Sequence, residues 1–368
     1  MKIPFVDLKA QYESIKDEID VAISDVLENT AFIGGEHVAS FEKNFASLYG
    51  VKHCISTANG TDSLYIILKM LGIGPRDEVI TVANSWISSS ETITQTGAKP
   101  VFVDIDPDYY SINEKLLETK INSNTKCIMP VHLHGQMCDM ETIMTIASKH
   151  NIPVVEDCAQ SHFSEYKGTR AGLFGIAGSF SFYPGKNLGA YGDAGCIITN
   201  NEKLADQFRM YARHGALKKH EHIIEGINSR LDGLQAAVLN VKLSHILNWT
   251  EKRIQNSALY DEYLDDINQI ERPKVRPSTK HTFHLYVIRS KERDELSNHL
   301  SAHGVDTAVH YPTALPNLPA YNYLGHKPTD FPVASSYQNE ILSLPMYPEL
   351  SEEQIQYVAS VIRDFYQS

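Results

Sequence analysis

Residues 53–72 are HCISTANGTDSLYIILKMLG, a short apolar run followed by a turn and a strongly apolar helical segment. The run at 53–58 is typical of a buried strand, and Gly60 and Thr61 stand where the helix begins. Backbone N–H groups at a helix start lack partners and lie at the positive end of the helix dipole. The stretch therefore predicts a strand–turn–helix unit whose turn could hold a phosphate.

Strands and helices continue to alternate on both sides of this unit. The segment at 34–49 has the apolar spacing of a helix and ends on Gly50, a residue type that often terminates helices. Further helices are predicted at 88–98 and 139–151. Strands are predicted at 77–85, 99–106, 126–135, 152–160, 178–183 and 195–200. This order predicts an α/β fold with a mostly parallel central sheet, helices on both faces, and ligands at the carboxyl ends of the strands.

The chain changes character after about residue 200. Long helices are predicted at 204–215 and 231–266. The C-terminal part then predicts a strand, a helix, a second strand and a final helix, at 281–290, 291–304, 305–312 and 351–367. We therefore predict a large domain over residues 1–250 and a smaller C-terminal α/β domain over residues 251–368.

The composition is that of an ordinary globular protein, with 42% apolar and 21% charged residues. A net charge of −12 argues against a nucleic-acid or anionic-membrane partner, because binding phosphate backbones requires an excess of lysine and arginine. The N-terminus has no signal-peptide core, and no window has the apolar length of a membrane span. Five cysteines without CxxC spacing predict buried thiols in a reducing compartment, so we expect a cytoplasmic protein.

A single lysine, Lys186, stands among glycine and aromatic residues in SFYPGKNLGAYGDAG at 181–195. A Walker-type loop needs a glycine five residues before Gly185 and a serine or threonine after the lysine, but Phe180 and Asn187 occupy those positions. The lysine is therefore either an ordinary surface residue or an amine with a lowered pKa that attacks carbonyl groups.

Asp157 ends an apolar run, which places its carboxylate either at the ligand-binding edge of the sheet or at the N-cap of the next segment. Trp86 follows another strand and offers either a stacking face or a core side chain. A phosphate cradle at 60–61 with the Ser181 hydroxyl, an aromatic face, a carboxylate and a lysine are together what pyridoxal 5′-phosphate requires. Lys186 would hold its aldehyde, and Asp157 would keep its pyridine nitrogen protonated.

Several motifs stand together in the order and spacing of one protein family. They are PFVDLKAQY at 4–12, ANGTDSL at 58–64, PVFVDID at 100–106, VHLHGQ at 131–136, VEDCAQSH at 155–162, SFSFYPGKNLGAYGDAG at 179–195, EGINSRLDGLQAAVLNVKL at 225–243 and LSLPMYPELSEEQ at 342–354. Over nearly its whole length the chain resembles the DegT/DnrJ/EryC1/StrS family of sugar aminotransferases. The resemblance implies a fold-type I, aspartate-aminotransferase-like enzyme with pyridoxal 5′-phosphate, working as a homodimer with shared active sites.

The resemblance also implies a role for each matched residue. Lys186 would carry the cofactor and shuttle the proton, Asp157 would pair with the pyridine nitrogen, and Gln160 would contact the cofactor's 3-hydroxyl. Trp86 takes a stacking position that is usually phenylalanine or tyrosine in the family. The implied phosphate contacts are Gly60, Thr61, Ser181 and, from the other subunit, Asn228.

Transamination is implied because relatives that dehydrate sugars have histidine in place of Lys186. The loop at 310–312 is similar to that of members that aminate nucleotide-linked 3-keto sugars, which would place His310 and Tyr311 beside the sugar, and His162 is a further candidate for substrate contact. The implied reaction moves an amino group from glutamate to a dTDP-3-keto-6-deoxyhexose or a UDP-3-keto sugar. Its product would serve surface polysaccharide such as the O-antigen of lipopolysaccharide. Amination of a nucleotide-linked 4-keto-6-deoxyhexose at C4 is the alternative.

The sequence allows two other interpretations, a metal site and a regulator without catalysis. His132 and His134 alternate along a predicted strand and so share a face that could suit zinc, but no third ligand stands at metal spacing, so we predict no metal site. The other interpretation is a regulator that binds the cofactor without catalysis. The presence of both Lys186 and Asp157, and the lack of a basic DNA-binding extension, disfavour it.

Overall fold

The computed structural model describes residues 1–367, in which strands alternate with helices. The strands of this range are β1 (His53–Thr57), β2 (Glu78–Val82), β3 (Lys99–Val103), β4 (Thr125–Met129), β5 (Val155–Asp157), β6 (Glu165–Tyr166), β7 (Thr169–Arg170), β8 (Ala177–Ser181), β9 (Gly195–Thr199), β10 (Ile270–Glu271), β11 (Thr279–Lys280), β12 (Tyr286–Ser290) and β13 (Ile341–Leu344). Its α-helices are α1 (Leu8–Ser14), α2 (Lys16–Glu28), α3 (Gly35–Tyr49), α4 (Gly60–Met70), α5 (Ser88–Gln95), α6 (Glu114–Leu117), α7 (Met140–His150), α8 (Glu202–Ala212), α9 (Gly233–Tyr263), α10 (Arg293–Ala302), α11 (Pro332–Tyr337) and α12 (Glu352–Gln367). Short 3₁₀-helices lie at Glu118–Lys120, Leu133–Gly135, Leu315–Asn317, Pro319–Leu324 and Pro328–Asp330.

The strand–turn–helix unit at 53–72 forms as the sequence predicts, with β1 leading into α4. Asn59 caps the helix, because its side chain accepts a hydrogen bond of 2.7 Å from the N–H of Asp62. The preceding helix, α3, ends at Gly50, whose φ of 80° is the left-handed conformation that glycine adopts without strain. Both helix boundaries therefore follow from local sequence signals.

Seven strands form the central sheet in the order β1-β9-β8-β5-β4-β2-β3. The β4 and β5 edges are joined by parallel bridges from Ile128 to Val154 and from Val131 to Asp157. Neighbouring strands are parallel except where β9 pairs with β1 and β8. The prediction of a mostly parallel sheet is confirmed.

Helices cover both faces of this sheet. Alternate residues of β9 point to opposite sides, so that Cys196 and Ile198 join a core cluster with residues of α3 and α9. Ile197 instead joins the cluster that contains residues of α4 and α8. Because both faces are covered, the residues of β1, β2, β8 and β9 are buried at nearly every position rather than at every second one.

A second, smaller sheet of order β10-β12-β13 lies in the C-terminal part, and its strands are antiparallel. Its core includes Leu296 of α10 and Ile355 of α12. The predicted domain boundary at residue 250 falls inside α9, which runs unbroken across it. Trp249 belongs to the core of the large sheet, whereas Tyr260 belongs to the core of the small one. The division into 1–250 and 251–368 therefore stays a prediction.

Side chains of α9 hold the segment that follows β13. Arg253 donates a hydrogen bond of 2.8 Å to the carbonyl oxygen of Met346, and Asn256 donates one of 2.9 Å to that of Tyr347. The hydroxyl of Tyr260 donates to the Pro345 carbonyl at 2.9 Å. One long helix thus supplies buried polar partners to the backbone of a segment far along the chain.

The strand predicted at 305–312 is wrong. Val305 forms an isolated bridge with Ile3, and Ala308 forms one with Ser343, but the chain then leaves the sheet. β12 instead lies between β10 and β13, two strands that were not predicted from the sequence. The helix predicted at 291–304 and the strand predicted at 281–290 are present in shortened form, as α10 and β12.

Other sequence-based expectations concern the cysteines and the membrane. All five cysteines are free and buried, as predicted: Cys54, Cys127, Cys138, Cys158 and Cys196. Among residues 1–367, no helix combines the length and the apolar character needed to cross a bilayer.

Candidate active site

A cavity of about 650 Å³ opens where the parallel strands of the central sheet end. Its walls include the following residues predicted from the sequence: Gly60, Thr61, Trp86, Asp157, Gln160, Ser181, Lys186, His310 and Tyr311. Residues from distant parts of the chain meet here because β1, β2, β5 and β8 run in the same direction and end at the same edge.

Lys186 lies in the turn between β8 and β9 and lines the cavity. Its backbone N–H donates a hydrogen bond of 2.8 Å to the Tyr183 carbonyl. Burial lowers the pKa of the Lys186 ammonium to about 8, and the negative charge of Asp157 opposes the shift. More of this side chain is therefore neutral amine near pH 7 than for a surface lysine, and the neutral amine is the form that attacks an aldehyde.

Asp157 is the last residue of β5 and is 4% exposed. Its Oδ2 accepts a hydrogen bond of 2.8 Å from the Ser89 hydroxyl, and its Oδ1 accepts one of 3.1 Å from the Ala159 N–H. Burial raises the pKa of this carboxyl group, while the hydrogen bonds and the Lys186 charge act against the rise. In the described chain no helix starts directly after Asp157, so the N-cap alternative does not apply.

Gly60 and Thr61 form the first turn of α4 and lie against Ser181. A Cβ at position 60 would stand 2.7 Å from the Ser181 Cβ, which is closer than such atoms approach, so only glycine fits. The Thr61 hydroxyl lies 2.7 Å from that of Ser88. The N–H groups of this helix start, with hydroxyl groups beside them, form a cradle suited to a phosphate.

Trp86 lies in the cavity wall and is 60% exposed. Its ring centroid is 5.7 Å from that of Tyr311, at an interplanar angle of 47°. A core tryptophan would be mostly buried, so this exposure favours stacking on a ligand over core packing.

Gln160 links two other segments of the cavity wall. Its Oε1 accepts a hydrogen bond of 2.7 Å from the His134 N–H, and its Nε2 donates one of 2.9 Å to the Tyr311 hydroxyl. The Nδ1 atom of the neighbouring His310 is 2.9 Å from the Ser343 hydroxyl. Burial lowers the pKa of His310 to about 4, so its ring is neutral at pH 7 and interacts by hydrogen bonding rather than by charge.

Two predicted site residues do not line the cavity. His162 is fully buried, with its ring centroid 5.4 Å from that of Phe180 and 5.6 Å from that of Phe182. This enclosure does not support a substrate contact through the imidazole. Asn228 is exposed and pairs with Arg213 through the backbone, and it is not among the residues that line the cavity of its own chain.

The sequence model of one family, described as the DegT/DnrJ/EryC1/StrS aminotransferase family, matches residues 13–363. The chain belongs to this family. Membership confirms the predicted aminotransferase activity, the fold-type I architecture and the pyridoxal 5′-phosphate cofactor.

Similar proteins cover this aminotransferase from end to end. A protein of Geobacillus stearothermophilus named pleiotropic regulatory protein is 44% identical over 368 residues, which are 100% of this chain and 99% of the relative. The dTDP-3-amino-3,6-dideoxy-alpha-D-galactopyranose transaminase of Aneurinibacillus thermoaerophilus is 42% identical over 363 residues, with 99% of each chain covered. The crystal structure of Streptomyces venezuelae DesV with a ketimine intermediate has a TM-score of 0.97 at 38% identity and covers 100% of this chain and 99% of its own.

The residues of this aminotransferase fit the cofactor. Because position 60 is glycine, the start of α4 packs directly against Ser181, and both line the cavity, where the helix N–H groups and the serine hydroxyl could bind a phosphate group together. Lys186 supplies an amine for the aldehyde, and Asp157 supplies a buried carboxylate for the ring nitrogen. The residues suited to the phosphate, the aldehyde and the ring nitrogen all line the same cavity.

His132 lies in a buried group with Glu156 and Cys158, whose ligand atoms are within 4.8 Å of one another. The Glu156 carboxylate already accepts hydrogen bonds from three backbone N–H groups and lies 3.0 Å from the His132 Nε2. The other ring nitrogen of His132 accepts a hydrogen bond from the Cys138 N–H at 3.2 Å. These contacts give His132 a structural role, and the absence of a metal site stays a prediction.

Three further residues of the site were not found from the sequence. Ser89 contacts Asp157, His284 lines the cavity with its Nδ1 3.1 Å from the Asn187 Oδ1, and Phe5 stacks on His310 at 5.7 Å. Ser89 stands in a run of three serines that gives no sign of which one faces the site. Phe5 is in the motif at 4–12, but nothing local indicates that the N-terminus reaches the cavity.

Proposed function

We propose that this aminotransferase moves the amino group of glutamate to C3 of a nucleotide-linked keto sugar, either a dTDP-3-keto-6-deoxyhexose or a UDP-3-keto sugar. The observation that carries the proposal is the presence of Lys186, an amine with a pKa of about 8, and the buried carboxylate of Asp157 on the walls of one cavity. The names of the relatives, which act on 3-amino sugars linked to dTDP or on UDP-linked 3-oxo sugars, support the choice of substrate.

Each wall of the cavity has a part in the proposed reaction. Pyridoxal 5′-phosphate, when bound, supplies an electron sink for the carbon that loses its proton. The turn at 60–61 and Ser181 would hold the phosphate, and Trp86 would cover one face of the ring. Asp157 would keep the ring nitrogen protonated, and Gln160 would meet the 3-hydroxyl.

Lys186 would act as both base and acid. As a neutral amine it would take the proton from the α-carbon of the amino donor, and as an ammonium it would return that proton at the end of the half-reaction. A pKa of about 8 suits both roles near neutral pH, because each form is then populated. His310 and Tyr311 would contact the sugar by hydrogen bonds, since the His310 ring is neutral.

We further propose a homodimer with shared active sites, in which Asn228 reaches the phosphate of the partner. Asn228 is exposed, while the adjacent Ser229 accepts a hydrogen bond of 3.1 Å from the Ala58 N–H, beside the cradle of its own chain. Ile33, which bridges to Asp232 in the same region, is 56% exposed. Phe32, beside Ile33 in the chain, and Ile223, shortly before Asn228, are also exposed, at 45% and 72%, and several exposed apolar side chains in these segments support a subunit contact there.

The proposed location is the cytoplasm, and the proposed product is an amino sugar for surface polysaccharide such as lipopolysaccharide O-antigen. The five buried free thiols support a reducing compartment. Glutamate and nucleotide-linked sugars are the metabolites that the reaction needs.

Exposure to glutamate alone tests the proposal against a regulator that binds the cofactor without catalysis. The name of the Geobacillus stearothermophilus relative makes that alternative worth testing. We expect glutamate to remove the visible absorbance of the bound cofactor and to yield one molecule of 2-oxoglutarate for each molecule of bound cofactor. An unchanged spectrum would support the regulator, and Lys186→Ala, which we expect to have no turnover, is the control.

A substrate panel tests the sugar and the position of amination. The protein loaded with cofactor is given glutamate with dTDP- or UDP-linked 3-keto and 4-keto sugars, and the products are identified by NMR. We expect an amino group at C3. Turnover confined to 4-keto sugars would establish the C4 alternative instead.

A further inference from the structure

A chain of buried hydroxyl groups leads to Asp157 from the start of α5. The Ser89 hydroxyl donates a hydrogen bond of 2.8 Å to the Asp157 Oδ2, and the Ser85 hydroxyl lies 2.8 Å from that of Ser89. Ser85 is 4% exposed and lines the cavity, and Ser89 is 1% exposed. Neither serine is one of the residues assigned above to the cofactor or the substrate.

The direction of these hydrogen bonds follows from the number of protons. A serine hydroxyl has a single proton, and Ser89 uses it on the Asp157 carboxylate, which can only accept while it is ionised. Ser89 must then accept from Ser85. Successive hydrogen bonds of this kind polarise one another, so Ser85 strengthens the bond that Ser89 gives to Asp157.

Asp157 needs this support because it is buried. Burial raises the pKa of its carboxyl group, and Ser89 is the strongest of the influences that lower it, ahead of the Ala159 N–H and the Lys186 charge. A neutral carboxylic acid could not stabilise a positive charge on a neighbouring ring. Hydrogen bonds to both oxygens also fix the plane of the carboxylate.

We propose that Ser89, supported by Ser85, is a positioning residue that keeps Asp157 ionised and thereby keeps the cofactor's ring nitrogen protonated. The inference rests on the proposed function, in which Asp157 pairs with that nitrogen. An acid and a ring nitrogen that share one proton can hold it on either atom without any change in net charge. Ser89 favours the form in which the nitrogen holds the proton, because its hydrogen bond stabilises the carboxylate.

The test replaces Ser89 by alanine in the full chain, which removes one oxygen atom and leaves the backbone unchanged. Each protein is loaded with pyridoxal 5′-phosphate labelled with ¹⁵N in the ring, and the ring-nitrogen resonance is recorded without amino donor. For Ser89→Ala we expect the resonance to move from the protonated towards the unprotonated range, with a smaller movement for Ser85→Ala. An unmoved resonance in Ser89→Ala would overturn the proposal.

Ser90→Ala is the matched control. Ser90 is a fully buried serine of the same helix, and its hydroxyl donates to the Ile87 carbonyl at 3.0 Å and lies 2.7 Å from that of Tyr321 instead of contacting Asp157. We expect its ring-nitrogen resonance to match that of the wild type. An equal movement in Ser90→Ala and Ser89→Ala would overturn the proposal, because it would trace the effect to helix packing.

A second measurement compares two cofactors. With pyridoxal 5′-phosphate we expect Ser89→Ala to react with glutamate about tenfold more slowly than the wild type, the size of one lost hydrogen bond to a charged group. With the 1-deaza analogue, which has carbon in place of the ring nitrogen, the two proteins should react at equal rates. An equal loss with both cofactors would overturn the proposal.

Because the ring-nitrogen resonance is recorded without amino donor, it is informative even if the wild type does not accept glutamate. The NMR measurement therefore separates failure of this inference from failure of the proposed function.

Discussion

The ammonium group of Lys242 donates a hydrogen bond of 2.8 Å to the carbonyl oxygen of Gly189, in the turn that carries Lys186. Lys242 is 1% exposed, and its Nζ lies 4.3 Å from the centroid of the Tyr191 ring. Gly189 is itself so close to Pro184 that a Cβ would stand 2.3 Å from the Pro184 carbonyl oxygen. A buried lysine of α9 therefore fixes the turn on which the reactive lysine stands.

Replacing Lys242 by methionine keeps most of the unbranched side chain but removes the terminal ammonium group, which leaves the Gly189 carbonyl without its donor. A hydrogen bond to a charged group contributes about 1.5–3 kcal/mol, so the turn should become mobile. We expect kcat to fall about tenfold or more, since 1.4 kcal/mol corresponds to a factor of ten. Steady-state kinetics with glutamate and the best sugar of the panel, together with limited proteolysis of the turn, measure the effect.

Lys252→Met is the matched control, because Lys252 is an exposed residue of the same helix. We expect its free energy of unfolding to stay within about 0.5 kcal/mol of the wild type and its kcat to stay within about twofold. Equal behaviour of the two variants would mean that Lys242 has no special role in holding the turn.

Gly60→Ala should weaken binding of the cofactor. The added Cβ would stand 2.7 Å from the Ser181 Cβ, so either the helix start or β8 must move and the cradle would lose its shape. Overpacking of this kind costs about 1–3 kcal/mol, which predicts a Kd for pyridoxal 5′-phosphate at least about fivefold higher. Titration of the apoprotein by absorbance gives the value. Gly74→Ala, whose Cβ would meet only the Thr96 carbonyl oxygen at 3.8 Å, should bind like the wild type.

The rate at which the apoprotein attaches its cofactor should depend on pH through Lys186. Burial lowers the pKa of this side chain to about 8, and only the neutral amine attacks the aldehyde. The rate constant should therefore rise as the pH increases towards 8 and level off above it, whereas an ordinary lysine would give a rise that continues to about pH 10.4. Stopped-flow absorbance measures the profile. A profile that still rises steeply at pH 10 would contradict the lowered pKa, and Lys186→Ala should show no attachment at any pH.

Four of the site residues that could be predicted from the sequence share one property: they end or follow strands of the parallel sheet. Asp157 ends β5, Lys186 follows β8, and Gly60 and Trp86 follow β1 and β2. The carboxyl ends of parallel strands must meet at one edge, so sequence order alone brings these side chains together. His162 also follows β5, but its ring turns into the core between two phenylalanines, a direction that strand periodicity does not specify.

The features that could not be predicted depend on contacts between distant segments. Ser89 is 68 residues from Asp157 in the chain, and its role is visible only once the fold brings its hydroxyl within hydrogen-bonding distance of the end of β5. The segment at 305–312 has the alternation of a strand, yet β12 pairs with the more distant β13. This leaves His310 and Tyr311 free to enter the cavity wall. Local pattern indicates that a segment suits a sheet, but not which neighbour it pairs with.

Mixed dimers test whether the active sites are shared. If Asn228 serves the partner's site, a dimer of one Lys186→Ala chain and one Asn228→Ala chain has one doubly altered site and one site with both native residues. We therefore expect such dimers, purified with two different affinity tags, to recover about half of the wild-type activity, although each variant alone is inactive or weak. If each chain used its own Asn228, neither site of the mixed dimer would be intact and no activity would return.

A dimer of one Lys186→Ala chain and one Asp157→Ala chain is the control for this experiment. Lys186 and Asp157 line the cavity of the same chain. In this mixed dimer each of the two active sites therefore lacks one of these residues, and the dimer should stay inactive. Activity in this control would mean that subunits exchange or that wild-type protein contaminates the sample. If activity recovers in the mixed dimer with Asn228→Ala but not in the one with Asp157→Ala, then Asn228 serves the active site of the partner subunit and Asp157 serves the active site of its own subunit.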